Sequence, residues 1–580
     1  MINKYRQIPG KSQLPRYWLV LCLSLFQATG IFAQTASIIR YDSIHHPVTA
    51  RSAMVVSQNE LASSIGAQIL EQGGNAVDAA VAVGFALAVT LPRAGNIGGS
   101  GFMLIHRGET GDTVALDFRS AAPMQARLED YLDANGVISY QDMTFGPKAA
   151  AIPGTVAGLE AAWQRYGSMP WPELLAPAHE LATEGIVVTE DLAYALSEAM
   201  SVMRVYPSSM AVYAQDGTDA FESGALFKQP DLAWSLQQIR NHGAAAFYQG
   251  ELAQRLINGV QQAGGYFSQE DFDNYQVRER PVISTNYRGF EVVTMPPTSV
   301  GGPALLQMLN VLSEFKLSSY PQGSATSLHL LAEVMKRANA NRRFGIGDPD
   351  FTELPMGGLL SRALARQLAE GIDLKQATPT SSISAIDPMP FQSRDTTHYS
   401  IVDGEGNAVS TTYTLGFSFG SGYVVEGTGI LLDNQIRNFY HNQPDHPNFM
   451  APGKRVVSTM TPTMVFDEEG ELFMVTGTPG GSRIHTSILQ LIVNVIDYGM
   501  NIAEATHAPR IYQGWISPKL GMEKGISIDS QGLLEDMGHD IQLQQTMGST
   551  QSIMIIDGIL TGAADPRRPG ASVAGIDITQ

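Results

Sequence analysis

The feature that most constrains this chain is an abrupt change of character at Thr396. The stretch from Gln376 to Arg394 is rich in Ser, Thr, Pro and Asp and has no clear period, which is typical of an exposed, mobile linker. It runs directly into strand-like sequence at 399–402, a Gly/Asn turn at 404–407 and a second strand at 408–415, a pattern that predicts a β-hairpin. A flexible segment that abuts a buried strand is odd in a continuous chain. We therefore expect the chain to be cut before Thr396.

The first 33 residues predict a secretory signal peptide. Four basic residues precede a short apolar run at 17–26, and Ala33 ends a stretch of small residues. The alternative is a membrane anchor, but this run is shorter than the roughly 20 residues that span a bilayer. Cys22 has no small residue immediately before it, which argues against a lipoprotein site. We expect cleavage after Ala33 and a periplasmic or secreted protein with no stable membrane span.

Charge and cysteine content exclude several classes of function. The formal net charge is −19, and loss of the four basic residues of the signal peptide takes it to −23. A surface this acidic repels nucleic acid and anionic lipid, so we expect no nucleic-acid partner. Cys22 is the only cysteine. The mature protein would therefore have neither disulfides nor thiol chemistry, and its stability would come from packing.

Local pattern predicts both helices and strands along the rest of the large piece. Helical spacing at 62–70 ends at Gly73-Gly74, and residues 79–89 are apolar on every side, as in a buried helix. Strands are predicted at 102–105 and 113–118. Residues 150–375 have a mostly helical pattern, for example at 174–182 and 328–338.

Two motifs indicate other chemistries, and both are weak. Residues 416–420 match the G-x-S-x-G nucleophile elbow around Ser418, but that motif needs a helix directly after the serine, and loop and strand sequence follows. The twelve histidines are scattered, and the nearest zinc-helix pattern, His179 to Thr183, has threonine in place of the second ligand. We therefore expect no metal and no other cofactor.

The loop Gly477-Thr-Pro-Gly-Gly-Ser-Arg483 admits two interpretations. It lacks the Gly-Lys-Ser/Thr ending of a phosphate-binding loop. Two consecutive glycines after a strand let backbone N–H groups point into a cavity, where they suit the oxyanion formed in acyl transfer. A plain tight turn fits the pattern equally well.

Residues 395–400, Asp-Thr-Thr-His-Tyr-Ser, resemble the processing site of the gamma-glutamyltransferases, N-terminal-nucleophile hydrolases that are made as one chain and cut before a threonine. The resemblance runs from about Ala53 to Arg568. Further matching segments, in the family's order, lie at 73–80, 95–99, 117–119, 296–302, 347–351, 429–435, 479–483 and 548–552. So many ordered matches are highly specific.

The resemblance implies catalytic roles for four residues and a cleavage site that begins at Asp395. The bond between Asp395 and Thr396 would be cut, and Thr396 would become the nucleophile, with its freed α-amine, of pKa near 8, as the base. Thr414 matches a second threonine that hydrogen-bonds near the nucleophile. The N–H groups of Gly480 and Gly481 match the oxyanion hole. Thr414 and Gly481 would also contact the substrate.

Five further residues are implied in binding the glutamyl group. Arg119 matches an arginine that binds the α-carboxylate, for which a planar bidentate donor is favoured. Ser458 and Thr459 match a Ser-Ser pair on the same carboxylate, and Gln435 matches a position near the α-amino group. Asn438 stands where the family usually has an aspartate that pairs with the ammonium group.

Asn438 is one of three departures from the family pattern. It keeps a hydrogen-bond acceptor but loses the charge-assisted part of the interaction. Many bacterial members have Asn where this chain has Gly416. Only 19 residues separate Asn438 from Ser458, fewer than in members with a full lid loop, so we expect a more open pocket. The first two changes fall in one pocket and weaken the expectation of tight γ-glutamyl recognition.

The resemblance implies an α+β fold, a four-layer αββα sandwich of the N-terminal-nucleophile hydrolase type. It would be built from a large piece, 34–395, whose last residues, 376–395, are a flexible linker, and a small catalytic piece, 396–580. The implied activity cleaves γ-glutamyl amides such as glutathione and passes the glutamyl group to water or to an amino acid or peptide. Two alternatives stay open: an N-terminal-threonine acylase with altered acyl specificity, similar to the cephalosporin acylases, and a binding protein without turnover.

Self-cleavage gives the first testable prediction. On a denaturing gel the mature protein should run as two fragments, the larger with roughly twice the mass of the smaller. Thr396→Ala should remain one chain because it lacks the attacking hydroxyl, and the small fragment should begin Thr-Thr-His-Tyr on Edman sequencing. A Thr396→Ala protein that is still cut would rule out cleavage by this residue.

Overall fold

The computed structural model describes residues 38–39, 41–342, 345–383 and 396–577. The predicted signal peptide and Asp395 of the predicted cleavage site lie outside these ranges. Among the helices within them, none combines the length and the apolar character needed to cross a bilayer.

Strands are distributed on both sides of position 396. Before it lie β1 Val48–Ala50, β2 Ala53–Ser57, β3 Ser100–His106, β4 Thr113–Phe118, β5 Ile186–Val187, β6 Ala214–Gln215, β7 Asp219–Ala220, β8 Leu226–Phe227, β9 Arg278–Arg280, β10 Ile283–Tyr287 and β11 Phe290–Thr294. After it lie β12 Thr397–Val402, β13 Ala408–Thr414, β14 Val424–Val425, β15 Ile430–Leu431, β16 Thr463–Phe466, β17 Leu472–Gly477, β18 Ile511–Gln513, β19 Lys519–Met522, β20 Asp540–Leu543, β21 Gln551–Ile556, β22 Ile559–Ala564 and β23 Ser572–Ile576.

Most of the helices precede position 396. They are α1 Glu60–Glu71, α2 Ala76–Thr90, α3 Tyr140–Thr144, α4 Thr155–Tyr166, α5 Trp171–Glu184, α6 Glu190–Met203, α7 Pro207–Tyr213, α8 Pro230–His242, α9 Ala244–Tyr248, α10 Glu251–Gln262, α11 Gln269–Asn274, α12 Gly301–Leu312, α13 Ala325–Asn341, α14 Met356–Leu359 and α15 Arg362–Glu370. After it come α16 Ile484–Ile496, α17 Ile502–His507 and α18 Ile528–Asp536, and short 3₁₀ turns include Thr380–Ser382, Gln435–Asn438 and Gly481–Arg483.

Two seven-stranded antiparallel sheets form the centre of the molecule. Their strand orders are β1-β22-β21-β17-β16-β11-β10 and β23-β2-β12-β13-β3-β4-β9. Both sheets mix strands from before and after position 396. In the second sheet β12 lies between β2 and β13, so that Ser400 pairs with Val56 on one side and with Ser410 on the other. A cut before Thr396 would therefore leave both pieces in one shared core.

The sheets face each other and are covered by helices on their outer faces. Across the interface the Ser400 hydroxyl donates to the Gln551 carbonyl at 2.9 Å, and the Ser410 hydroxyl donates to the Thr476 carbonyl at 3.0 Å. Helices α2 and α4 pack on the second sheet, and α12 and α16 pack on the first. The expected four-layer αββα sandwich is confirmed.

The helices and strands predicted from local pattern are confirmed, most of them with longer bounds; β4 has the expected bounds, and β13 ends one residue earlier, at Thr414. The helix expected at 79–89 extends to Ala76–Thr90, and every one of its residues is buried. Asn75 and Asp78 form a capping box at its start, and the Asp403 carboxylate accepts from the Ala76 N–H at 2.8 Å. That contact ties the helix to the turn of the β12–β13 hairpin, which is the hairpin predicted after Thr396.

A buried ionic cluster on α13 is hydrogen-bonded to the chain segment around Thr378. The Glu333 carboxylate accepts from Lys336 and Arg337, each at 2.6 Å, and from the Thr378 N–H at 3.0 Å. Burial alone would raise the pKa of Glu333, but the two cations lower it to about 2. Lys336 also donates to the Thr378 carbonyl at 2.8 Å. The chain is thus anchored at Thr378, inside the stretch whose sequence predicts a linker.

Two buried histidines lie next to this cluster. His329 Nε2 lies 2.7 Å from the Asp373 carbonyl oxygen, and His329 Nδ1 lies 2.8 Å from His539 Nε2. The carbonyl can only accept, so His329 is protonated at Nε2 and accepts a hydrogen bond from His539 at Nδ1. Burial lowers the pKa of both rings, that of His539 to about 4. Both are therefore neutral at pH 7.

Acidification should destabilise the fold through these rings. The unfolded chain takes up a proton near the ordinary histidine pKa of 6.5, whereas folded His539 does so only near 4, so stability is lost as the pH falls between those values. His539→Gln keeps a donor for His329, and its loss of stability between pH 7.5 and pH 5 should be smaller by on the order of 2 kcal/mol. Thermal unfolding midpoints at the two pH values measure this. An equal drop in both proteins would contradict the assignment.

Candidate active site

Thr396 and Thr414 lie side by side at the end of the central hairpin. Thr396 immediately precedes β12, Thr414 ends β13, and the pairing of Thr397 with Tyr413 brings the two together. The Thr396 hydroxyl donates to the Thr414 hydroxyl oxygen at 3.2 Å, and that oxygen also accepts from the Gly416 N–H at 2.9 Å. Both side chains are buried. The hairpin register therefore fixes the Thr396 hydroxyl against a second hydroxyl.

His398, the histidine nearest in sequence, is not a base for Thr396. Its Nδ1 lies 2.8 Å from the Thr412 hydroxyl and its Nε2 lies 3.0 Å from the Ser400 hydroxyl, so both ring nitrogens are occupied. Complete burial lowers the pKa of the ring to about 3. The ring is neutral and does not line the cavity into which Thr396 opens. This agrees with a threonine that has no histidine partner.

Thr396 opens into a cavity of about 410 Å³. The cavity is also lined by six other residues singled out by sequence, namely Thr414, Gln435, Asn438, Ser458, Thr459 and Gly481, and by Gly416. The Thr459 hydroxyl donates to the Gly481 carbonyl at 2.8 Å, which joins two of these walls. Arg119 and Gly480 do not line this cavity, and Ser418 of the elbow motif does not either. No helix follows Ser418 in the structure, which confirms the objection to that motif.

The glycine loop after β17 is held rigidly at one side of the cavity. Gly480 and Gly481 have φ values of +134° and +57°, which favour glycine, and α16 begins three residues later. The Thr478 hydroxyl donates to the Pro479 carbonyl at 2.8 Å and accepts from the Ser549 N–H at 2.7 Å. Gly480 lines a neighbouring cavity of about 490 Å³ together with Gly548. The oxyanion roles of Gly480 and Gly481 stay predictions.

Arg119 reaches the cavity only through Gln435. Its guanidinium is fully buried and donates to the Val456 carbonyl at 3.1 Å, the Ser100 hydroxyl at 2.7 Å and Gln435 Oε1 at 2.8 Å. Burial lowers the pKa of Arg119 to about 10, so it stays cationic at neutral pH. A substrate carboxylate would have to displace Gln435 Oε1 to contact it. Its predicted role as the carboxylate clamp remains a prediction.

This network also fixes the orientation of Asn438. A guanidinium can only donate, so the Gln435 atom that faces Arg119 must be the amide oxygen. Asn438 Nδ2 donates to the same oxygen at 2.8 Å. The side-chain oxygen Oδ1 is therefore the atom with which the Asn438 amide can accept a hydrogen bond. At this position the wall thus offers an uncharged acceptor, where a carboxylate would bind an ammonium group more strongly.

The Asp433 carboxylate is hydrogen-bonded to the backbone of Gln435. It accepts from the Ser120 hydroxyl, from the Ala151 N–H at 2.9 Å and from the Gln435 N–H at 3.3 Å. Complete burial raises the pKa of Asp433 to about 7. In the sequence, Asp433 stands out only as part of the matching segment 429–435. Its role is visible only once Ser120 and Ala151, distant in sequence, are brought beside it.

Several basic side chains line the cavity, although the protein as a whole has a negative net charge. Arg342, Arg437, Arg483 and Lys519 line it, and none of its described lining residues is Asp or Glu. Arg437 is buried, its Cζ atom lies 3.8 Å from the centroid of the Phe417 ring, and burial lowers its pKa to about 10. Sequence reasoning missed these cations. Arg483 ends one matching segment and Arg437 lies two residues after another, and this position is the signal that could have found them.

The described residues contain one His/Glu group close enough to hold a metal ion, His329, Glu333 and His539. Its carboxylate already accepts from Lys336 and Arg337, and its imidazoles hydrogen-bond each other. A divalent cation would have to displace two buried positive charges. The chemistry of this group therefore fits a hydrogen-bonded anchor and not a metal site.

Comparison with known proteins identifies the family. The gamma-glutamyltranspeptidase family profile matches residues 62–575. The chain belongs to this family. The glutathione hydrolase proenzyme of Escherichia coli is 43% identical over 546 residues, which cover 92% of this chain and 93% of that protein. The acylase ACY 1 proenzyme of a Pseudomonas species is 36% identical over 538 residues, which cover 91% and 94%.

Solved structures agree with the fold. The cephalosporin acylase of Bacillus halodurans superposes with a TM-score of 0.84 at 28% identity, covering 93% of this chain and 99% of that chain. Relatives named as glutathione hydrolases and relatives named as acylases therefore both match nearly the whole chain. Family membership leaves the acyl group to be argued from the cavity.

The backbone conformation of Gly416, in the cavity lining, leads to a prediction about stability. Its φ is +100°, and an added Cβ would lie 2.1 Å from Asn434 Oδ1, which accepts from the Phe417 N–H. Gly416→Ala should therefore lower the free energy of unfolding by about 1–3 kcal/mol and reduce the thermal midpoint accordingly. Ser418→Ala in the same loop is the matched control and should unfold like wild type. Equal midpoints for Gly416→Ala and wild type would mean that Asn434 moves aside freely.

Proposed function

We propose that this protein is a self-processed gamma-glutamyltransferase and glutathione hydrolase in which Thr396 is the nucleophile. The observation that carries the proposal is the pairing of the Thr396 and Thr414 hydroxyls at 3.2 Å in a cavity that Gly481 also lines. Family membership and 43% identity to a glutathione hydrolase proenzyme support it. The neutral, fully bonded His398 supports a mechanism in which Thr396 supplies its own base.

Processing would come first. The Thr396 hydroxyl attacks the carbonyl carbon of Asp395, the peptide C–N bond breaks, and the threonine nitrogen takes a proton and becomes a free α-amine. Water then hydrolyses the resulting ester, which leaves a carboxylate at Asp395. Because β12 is paired on both sides, the new N-terminus would stay in place against Thr414.

Turnover would use the freed amine. It takes the proton of the Thr396 hydroxyl as the oxygen attacks the γ-carbonyl carbon of the donor, and the oxyanion is stabilised by the N–H groups of Gly480 and Gly481. The proton passes to the nitrogen of the leaving amine as the C–N bond breaks. Water, or the amine of an amino acid or peptide, then attacks the acyl-enzyme. Thr396 is regenerated with release of glutamate or of a new γ-glutamyl compound.

Export belongs to the same proposal. The basic and apolar pattern of the first 33 residues supports a cleaved signal peptide and a periplasmic or secreted enzyme. A mature chain without cysteine needs no disulfide and is suited to an oxidising compartment.

A second candidate is an acylase for acyl groups that lack the ammonium. It is favoured by Asn438, whose amide nitrogen is committed to Gln435, and by the absence of Asp and Glu from the described lining of the cavity. A glutaryl group keeps the carboxylate of γ-glutamyl and has no ammonium to be satisfied. Acylase relatives at 36% identity support this candidate as well.

Asn438→Asp separates the two candidates. The new carboxylate would bind the α-ammonium, so KM for γ-glutamyl-p-nitroanilide should fall about tenfold. Glutaryl-p-nitroanilide, which lacks the ammonium, is the matched control, and its KM should rise because two carboxylates then face each other. Steady-state kinetics on the purified wild type and variant measure both.

Two outcomes would change the proposal. An unchanged KM for the γ-glutamyl anilide in Asn438→Asp would mean that the ammonium is bound elsewhere. A wild-type enzyme with higher kcat/KM for the glutaryl anilide would favour the acylase.

A further inference from the structure

Two peptide units of the glycine loop carry the N–H groups that are expected to bind the oxyanion. Both units are trans, and a trans peptide unit is planar, with its C=O and its N–H pointing in opposite directions. The N–H of Gly480 therefore shares a plane with the Pro479 carbonyl, and the N–H of Gly481 shares a plane with the Gly480 carbonyl. The groups that bind these two carbonyls thus also decide where the two N–H groups point.

The two carbonyls are held by different kinds of group. The Gly480 carbonyl accepts from the Arg483 N–H at 3.1 Å, which is a backbone hydrogen bond of the 3₁₀ turn Gly481–Arg483. The Pro479 carbonyl accepts from the Thr478 hydroxyl at 2.8 Å. The orientation of the Gly481 N–H is therefore built into the turn, whereas that of the Gly480 N–H depends on a side chain.

The peptide unit between Pro479 and Gly480 needs such a constraint. Proline fixes its own φ but not its ψ, and glycine accepts positive φ, such as the +134° of Gly480. Type I and type II turns differ mainly in the orientation of their central peptide unit, and a Pro-Gly pair can occupy the middle of either. A rotation of this unit by half a turn would exchange its N–H and its C=O. The oxyanion would then face an oxygen in place of a donor.

Thr478 is itself fixed by the neighbouring loop. Its side chain is fully buried, and its hydroxyl oxygen accepts from the Ser549 N–H at 2.7 Å, which leaves the hydroxyl proton for the Pro479 carbonyl. Gly548 makes room for this contact, since an added Cβ there would lie 2.7 Å from the Thr478 hydroxyl and 3.2 Å from the Pro479 oxygen. The Pro479 carbonyl thus faces the loop of Gly548, and the Gly480 N–H faces away from it.

The strand of the nucleophile positions the start of the same loop. Gly477, the last residue of β17, packs against the ring of His398, and an added Cβ at Gly477 would overlap that ring. Gly477 also pairs with Gln551, whose carbonyl accepts from the Ser400 hydroxyl at 2.9 Å. His398 and Ser400 both belong to β12. The glycine loop therefore starts from a backbone that is in register with the strand of the nucleophile.

We propose that Thr478 is a positioning residue for the oxyanion hole. By holding the Pro479 carbonyl, it keeps the Gly480 N–H directed toward the carbonyl oxygen of the acyl group that Thr396 attacks. No covalent bond forms or breaks at Thr478, and its effect is exerted through the Pro479–Gly480 peptide unit. This inference rests on the proposed function, and it applies to a γ-glutamyl donor and to a glutaryl donor alike.

The test removes the hydroxyl and keeps the shape of the side chain. Thr478→Val should lower kcat for γ-glutamyl-p-nitroanilide by about 100-fold, the lower end of the loss that follows removal of one oxyanion donor. KM should change by less than about threefold, because the N–H acts on the transition state and not on the bound donor. Thr478→Ser keeps the hydroxyl and should recover most of kcat. Rates are expressed per small fragment, so that incomplete cutting of a variant does not lower them.

Thr561→Val is the matched control for stability. Thr561 is equally buried, and its hydroxyl donates to the Met554 carbonyl at 2.8 Å between two strands of the first sheet. Its loss should lower the thermal midpoint about as much as Thr478→Val does, but it should leave kcat unchanged. Inhibition by glutamate gives a further readout. Glutamate binds without forming a transition state, so its inhibition constant should be the same in wild type and in Thr478→Val.

Several outcomes would overturn the inference. They are equal kcat values for Thr478→Val and Thr561→Val, a Thr478→Ser variant as slow as Thr478→Val, and a loss of activity that lies in KM. If Thr478→Val yields no folded small fragment, Thr478→Cys takes its place. A thiol is a weaker donor than a hydroxyl, so kcat should fall about tenfold, and an unchanged kcat would overturn the inference. Inactivity of the wild type on both the γ-glutamyl and the glutaryl anilide would instead refute the proposed function.

Discussion

The pairing of β12 with β2 on one side and β13 on the other is the constraint on which the site depends. It places the Thr396 hydroxyl 3.2 Å from that of Thr414 before any substrate arrives. Since β2 and β12 lie on opposite sides of the predicted cut, the same hydrogen bonds would join the two pieces afterwards. A nucleophile at a new chain end would otherwise fray, because terminal residues are poorly ordered unless a sheet holds them.

The interior around β12 contains polar side chains, and the ones next to the site are paired by hydrogen bonds. His398 lies between two hydroxyls and stays neutral, and Arg119 donates to a carbonyl, a hydroxyl and the oxygen of Gln435. Buried polar groups are costly unless they are paired, so each of these contacts restricts how its neighbour can turn. The amide of Asn438 is oriented in this way by Arg119, through Gln435. The orientation of an amide in the cavity wall is thus controlled from the fully buried layer behind it.

The cavity separates into regions of different chemical character. Gln435 and Asn438 offer neutral groups, the second at a position where the family resemblance implies an aspartate, and Arg342 and Arg483 are basic residues of the same cavity lining. Glutathione and glutaryl amides are both anionic. Under the proposed function, the distinction between them would depend on the ammonium and on position 438.

The sequence by itself determined the local elements and the nucleophile candidate. Helix α2, the strands at 100–118 and the hairpin after Thr396 follow from apolar runs, alternation and turn residues, which act over a few positions. Family resemblance added the four-layer fold. The tertiary structure decided what could not be read locally: the burial of Arg119 behind Gln435, 316 residues away, the anchoring of Thr378 by Glu333, and the presence of Arg342 and Arg483 in the lining of one cavity. The physical reason is that hydrogen bonds and charges act through space, and the chain brings these groups together only when both sheets have closed.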